Sequence, residues 1–344
     1  MASLVADLHI VFLFLIIAAS LALLVKGADL LVDQAVALSV KWGVPKMLIG
    51  ATIVSLGTTL PEVVVSVLAA VQGAPGLAMG NAVGSIIADT GLILGLALIV
   101  GTIPVDQRLV RRQSWIQFGS ASLLILACVP WFGMRGMFTE GGHLPQLVGV
   151  AFLVLLAIYI WRSIRWSRDV PPEASTLPDT DGAPGTRPVW ALLKLALGIA
   201  CVVLASQILI PTVEETAVRM GIPDAIIAAT LVAFGTSLPE LVTALTAVRK
   251  KHGELALGNV LGADVLNVLF VSGASAAVTR GGLVVPPSFF YLFFPSMLFV
   301  VLVLRIGIGR TSHSLSRGFG FVLLAAYIVT VVLGYVVPAG ALSH

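Results

Sequence analysis

Charge is what this sequence has least of: Asp, Glu, Lys and Arg together make up 11% of 344 residues. A soluble domain carries about a quarter, so an ordinary cytosolic enzyme, a disordered chain and a coiled coil are all excluded. Cysteine is nearly absent too. Cys128 and Cys201 each lie inside an apolar run without CxxC or Cys/His spacing, which excludes a disulfide framework or a zinc site and leaves them as packing residues. The five histidines fall in loops, at termini or just ahead of the first apolar run. What the sequence does have is apolar residues, 58% of the chain, gathered into runs long enough to cross a bilayer at roughly 20 residues per helix.

The runs fall at residues 10–25, 47–70, 78–102, 114–132, 145–161, 189–210, 225–248, 255–279, 285–304 and 318–338. They predict an all-α membrane protein of ten transmembrane helices. Between the fifth and sixth runs lies one polar, proline-rich stretch that cannot bury enough apolar area to fold. The expected organisation is residues 1–161 as a first five-helix unit, 162–188 as a linker and 189–344 as a second unit. The net charge of +3 reports topology, not nucleic acid. Lys26, Lys41, Arg108, Arg111, Arg112, Arg162, Arg249, Lys250 and Arg310 all follow odd-numbered spans, which under the positive-inside rule puts the linker in the cytoplasm and both termini outside. With no cleavage site after it, the first run reads as a retained helix.

Internal repetition is the most informative feature. GVPKMLIGATIVSLGTTLPEVV from Gly43 aligns without gaps to GIPDAIIAATLVAFGTSLPELV from Gly221, at an offset of 178, and the same offset carries LAMGNAVG from Leu77 onto LALGNVLG from Leu255. The halves are copies of one unit. Five spans separate them, so the second copy enters the membrane upside down. Inverted repeats are a transporter signature, with the substrate site near the midplane where the copies meet.

Each copy places a proline in the middle of an apolar span. Pro61 and Pro239 break the helix and free carbonyls near Gly57 and Gly235, beside the hydroxyls of Thr58, Thr59, Thr236 and Ser237 and the carboxylates of Glu62 and Glu240. An acid at the centre of a membrane helix costs about 2.5–3.5 kcal/mol on insertion scales. No Lys or Arg occurs from Met47 to Gln107 or from Gly221 to Val248, so the missing counter-charge is a proton or a mobile cation. The following span adds Asn81, Ser85 and Asp89, spaced by four along one helical stripe, with Gly80 and Gly84 as a small surface for close helix approach. Its copy adds Asn259, Asp264 and Asn267. Carboxylate, hydroxyl, amide and carbonyl oxygens are hard donors. They suit calcium first, with sodium or protons able to occupy the same oxygens in exchange, and no resident cofactor is called for.

GTTLPE and GTSLPE, followed by GNAVGS and GNVLGA, resemble the alpha repeats of the calcium/cation antiporter superfamily, most closely its prokaryotic sodium/calcium exchanger branch. The resemblance implies that Glu62, Glu240 and the preceding threonines bind calcium, that neighbouring hydroxyls and carbonyls serve sodium, and that the first and sixth spans slide past the rest. It also implies a bacterial or archaeal plasma membrane. Two features depart from the branch: the extra acid stands in the third span as Asp89 with an amide, Asn267, in the eighth, and Asp264 occupies a place where an amide is usual.

The expected function is therefore not enzymatic. It is secondary antiport of calcium against sodium by alternating access, with a proton-coupled calcium exchanger as the alternative. A cation channel is disfavoured because a pore more naturally uses rings of equivalent subunits. An intramembrane aspartyl protease is disfavoured because Gly262-Ala263-Asp264 lacks the second glycine of a Gly-x-Gly-Asp loop and both glutamates would go unexplained.

Overall fold

The computed structural model describes residues 8–131, 136–166, 188–220, 236–311 and 313–336. The chain opens on α1, Ile10–Trp42. At 33 residues it is about 50 Å long at 1.5 Å per residue, well beyond the roughly 30 Å hydrocarbon core, and fits only by tilting. The expected end near residue 25 is thus corrected. Asp29 and Asp33 do not stop the helix, because both meet Lys250, whose Nζ lies 3.1 Å and 2.8 Å from their carboxylates. Lys26, assigned from the sequence to the loop beyond the span, sits at the helix midpoint. The helix stops only at Gly43, which takes φ +63°, a conformation that costs glycine little.

The second span is broken. It runs as α2 (Lys46–Ile49), a wide π-turn (Gly50–Val54), α3 (Ser55–Thr58) and, after a 44° bend, α4 (Leu60–Val71). The third comprises α5 (Pro75–Ile87), a π-turn (Ala88–Ile93) and α6 (Leu94–Val100). Then come α7 (Gln107–Cys128) and α8 (Gln146–Trp166). The last five residues of α8, Arg162–Trp166, were expected in the linker but continue the helix, and Arg165 stacks on Trp161 one turn back. The rest of that stretch, 167–187, lies outside the described residues.

The second half begins with α9 (Pro188–Arg219) and continues with α10 (Leu238–Arg249). It goes on through α11 (Gly253–Leu266), a π-turn (Asn267–Ser272) and α12 (Gly273–Val278). A π-turn (Phe289–Phe293) then leads into α13 (Phe294–Arg310), and α14 (Arg317–Val336) is last. Among the described residues, seven helices are long and apolar enough to cross a membrane, and the bent pair of the second span makes an eighth. Of the two remaining expected spans, α7 opens on Arg108, Arg111 and Arg112 and carries a polar face. The first half of the other, residues 221–235, lies outside the described residues.

Contacts at glycines fix how the helices run. A Cβ on Gly27 would lie 2.8 Å from Cys201, and one on Gly198 would lie 2.8 Å from Leu31, so α1 and α9 cross antiparallel. In contrast, Cβ atoms on Gly258 and Gly262 would lie 2.1 Å and 2.5 Å from Met47 and Ala51, so α11 runs parallel to the second span in near backbone contact. The close approach expected at Gly80 and Gly84 is therefore seen at their copies. Gly80 and Gly84 themselves line a cavity, and the counterparts of Met47 and Ala51, Ala225 and Ala229, fall outside the described residues.

Two short antiparallel ribbons tie the loops. β1 (Ile103–Pro104), after the third span, pairs with β4 (Ser314–Leu315), before the last. β2 (Gly142–Leu144), before α8, pairs with β3 (Leu283–Val285), after α12. The second ribbon is the first with the halves exchanged.

Gly262→Val places branched carbons against the Ala51 backbone, which cannot yield as a side chain would. The expected result is a loss of about 1–3 kcal/mol, the range for overpacking, read as a lower melting temperature in detergent. An unchanged melting temperature would contradict the contact.

Candidate functional site

The break in the second span falls at Thr59, with φ −81° and ψ −1°. Pro61, in the first turn of α4, has no N–H to offer the carbonyl of Gly57, so the helix cannot continue its ladder through this point. Glu62 follows in the same first turn, and Glu240 occupies the matching place in α10 after Ser237. Each acid therefore faces the positive end of a half-helix dipole, worth about 0.3–1 kcal/mol and at most roughly 2. That is less than the cost of burying a carboxylate in a membrane, and both are 1% exposed. The dipole orients the acids without neutralising them.

Across the break the halves exchange hydrogen bonds. Thr58 Oγ1 donates to Asn259 Oδ1 at 3.5 Å, and Thr236 Oγ1 donates to Asn81 Oδ1 at 3.1 Å. With the offset of 178 these are one contact made twice, each half's threonine reaching the other half's asparagine. Thr59 Oγ1 donates to Glu240 Oε1 at 3.4 Å, again between halves. Asn81 turns its amide to the carbonyl of Glu62 at 3.3 Å and to Ser66 Oγ at 2.9 Å. Asn81 is thereby held with its own oxygen toward the second half.

Several carboxylate oxygens of the acids remain without partners. Both oxygens of Glu62, Oε2 of Glu240 and Oδ1 of Asp89 are buried and accept no hydrogen bond from the described residues. Glu62 lies near enough to feel the charges of Glu240 and Asp89, and Asp89 those of Glu240 and Asp264. The ion pairs among the described residues join Arg219 to Glu215 and Lys250 to Asp29 and Asp33, none of which belongs to this group. Among the described residues, no three His, Cys, Asp or Glu side chains converge as a ready-made metal cluster. Any ion here would rest on paired carboxylates completed by neutral oxygens.

The remaining candidates divide. Ser237 is buried at the start of α10. Ser85, Asn81 and Thr236 line a cavity of about 450 Å³ between the third span and the last two, shared with Ser296, Tyr327 and Thr330. Asp264 stands apart from the glutamate pair: its Oδ2 accepts from Thr90 Oγ1 and Gln117 Nε2. Asn267 opens the π-turn of the eighth span with an unpartnered Oδ1.

Ser66, Thr90 and Gln117 were missed from the sequence, and so was a relay in which Gln113 donates to Tyr159 OH and Tyr159 to the carbonyl of Ala51 at 3.1 Å. The available signal was α7 itself, where Gln113, Ser114, Gln117 and Ser120 recur at helical spacing and are all buried.

A helix that begins at a buried acid in each half, with the two acids opposed, is the architecture of an ion-carrying membrane protein, and comparison with known proteins gives the family. The model for "Sodium/calcium exchanger protein" matches residues 12–165 and 190–336. Inner membrane protein YrbG of Escherichia coli (strain K12) is 31% identical over 324 residues, covering 92% of this chain and 94% of that protein. Sodium/calcium exchanger MaX1 of Methanosarcina acetivorans is 32% identical over 353 residues, 94% of this chain and 99% of its own. A structure of the sodium-calcium exchanger NCX_Mj, soaked with sodium and strontium, superposes with a TM-score of 0.77 at 25% identity, covering 94% of this chain and 99% of that one. This chain belongs to the sodium/calcium exchanger family. It is a multi-pass membrane protein of the prokaryotic type and a cation antiporter.

Two buried carboxyl groups with oxygens left unpartnered strain the ion-free protein. Glu240→Gln is expected to stabilise the ion-free protein by about 1–3 kcal/mol, the usual cost of an unsatisfied buried polar group, read as a higher melting temperature in ion-free detergent solution. A lower value would mean that Glu240 is already compensated.

Proposed function

We propose that this protein exchanges calcium for sodium across the membrane by alternating access, with Glu62 and Glu240 as the shared seat of the two cargoes. The observation that carries the reading is the pair of buried, opposed carboxylates, one from each half, with unpartnered oxygens and hydroxyl and amide groups of both halves around them. Two carboxylates match the charge of calcium, and the surrounding oxygens are the donors that calcium and sodium take. Thr58, Thr59, Thr236, Ser237, Asn81 and Asn259 complete the set. Competition for the same oxygens gives coupling: the carrier reorients when its charge is neutralised by either cargo and crosses poorly when empty, because uncompensated carboxylates in the membrane are expensive.

The reading includes ten spans as two inverted five-span halves, joined by a cytoplasmic linker, with both termini outside. The Thr–Asn contact made twice, the exchanged loop ribbons and the opposite and like courses of the glycine-packed helices support it. In that orientation Leu77 and Gly334 lie toward the outer face, and the cavity they share with Asn81, Ser85 and Thr236 is the path by which outside ions reach the pair. The long tilted helices α1 and α9 carry none of the proposed ligands and are the part that slides.

Purified protein in vesicles tests this. Calcium uptake is expected under an outward sodium gradient, and Glu62→Gln and Glu240→Gln are each expected to reduce it about 100-fold or more, the equivalent of the roughly 3–5 kcal/mol lost when one member of a buried charge pair is removed. Uptake driven by a proton gradient but not by sodium would replace sodium with the proton as coupling ion. Undiminished exchange in both variants would remove the site.

A further inference from the structure

The π-turn of the second span, Gly50–Val54, is supported from outside its own helix. In an α-helix the N–H of Ser55 would bond the carbonyl of Ala51, four residues back. Here it bonds the carbonyls of Gly50 and Thr52 and passes over the one between them. Tyr159 on α8 reaches that skipped carbonyl, its hydroxyl donating to Ala51 O at 3.1 Å. Gln113 on α7 donates in turn to the Tyr159 oxygen, which leaves the hydroxyl proton directed at Ala51. Ala51, Tyr159 and Gln113 are all buried. Gly262 of α11 abuts the same carbonyl, where a Cβ would stand 2.5 Å from the Ala51 oxygen.

A surplus residue in a helix has to be held in place. π-turns are rare and gather at functional positions, and this one would revert if Ser55 took back the Ala51 carbonyl. Reversion removes one residue's worth of winding, so everything beyond it turns by about 100° around the helix axis and shifts by about 1.5 Å. The hydroxyls that follow are those of Thr58 and Thr59, which cross to the other half at Asn259 and Glu240. A rotation of that size takes both off their partners. The bond from Tyr159 opposes it, because reversion would leave a buried hydroxyl without its acceptor. A buried tyrosine needs some acceptor in any core; what goes beyond ordinary packing is that the acceptor is the carbonyl the turn itself skips.

We propose that Tyr159 is a positioning residue for cation binding: by donating to Ala51 it locks the π-turn, and the locked turn aims Thr58 and Thr59 at the other half. The proposal rests on the exchange reading above. Tyr159 touches no cargo. It sets how well the neutral oxygens of the first half meet the acid of the second, and so it governs affinity and not the speed of reorientation. The fifth span, which carries none of the proposed ligands, thereby takes part in holding the ion, and Gln113 keeps the hydroxyl turned toward the second span.

The test is calcium binding to the purified full chain in detergent, followed by heat flow, with calcium uptake into sodium-loaded vesicles beside it. Tyr159→Phe removes only the hydroxyl. It is expected to weaken calcium binding and raise KM for calcium about tenfold, the scale of a lost buried hydrogen bond, with the maximal rate changed less than about twofold. Gln113→Leu reaches the same hydroxyl from α7 and is expected to shift KM in the same direction by less. In a Thr58→Val background the further cost of Tyr159→Phe is expected to fall below about threefold, because the tyrosine acts partly through that threonine. A lower melting temperature with unchanged affinity would make Tyr159 a packing residue and overturn the proposal, as would a cost undiminished in the Thr58→Val background. Calcium binding that survives Glu62→Gln would instead strike the exchange reading. Binding lost in Glu62→Gln but full in Tyr159→Phe strikes the positioning role alone, so the two failures are distinguishable.

Discussion

Everything in this fold answers to one constraint: carboxylates held deep in a membrane protein with no fixed cation among the described residues to neutralise them. The half-helix dipoles behind Glu62 and Glu240 recover a fraction of the cost, and single hydrogen bonds from Thr59, Thr90 and Gln117 recover some more. The remainder is left open. A structure tolerates such a deficit only where the rest of the molecule is rigid enough to hold it, and the surrounding backbone is packed accordingly, with Gly258 and Gly262 letting α11 lie almost on the backbone of the broken span.

Duplication is what makes the arrangement attainable. One unit supplies a broken helix with an acid at its restart and a following helix with an asparagine. Two such units supply each other's missing contacts, so that threonine of one half meets asparagine of the other twice over. Irregular backbone at this depth is tolerable because it is buried in protein, not lipid. The wide turns at Gly50–Val54, Ala88–Ile93 and Asn267–Ser272 are the local form of that irregularity, and they lie in the spans that carry the acids.

Much of this was legible in the residues. The repeat offset, the prolines and the acids beside them marked the helix starts at Leu60 and Leu238, because a proline followed by a glutamate inside an apolar run has so few structural uses. The length of α1 was not legible, since Lys26, Asp29 and Asp33 look like the end of a span until Lys250, more than 200 positions away, is known to meet the aspartates. Nor was the role of Gln117. An amide in a membrane helix has no fixed partner in sequence, and only the packing of α7 against α11 brings it to Asp264. The glycines of GNAVG and GNVLG show the same limit: identical motifs do different things, one lining a cavity and the other sealing a helix contact.

The clamp of Lys250 on Asp29 and Asp33 has no counterpart in the other half. Carried across the repeat, those three positions are Gln72, Gln207 and Pro211, none of which bears a charge. A molecule built of two interchangeable units would rest on either side of the membrane with equal ease. This one carries exposed pairs worth about 0.2–1 kcal/mol each on a single face, which make its two halves energetically unequal.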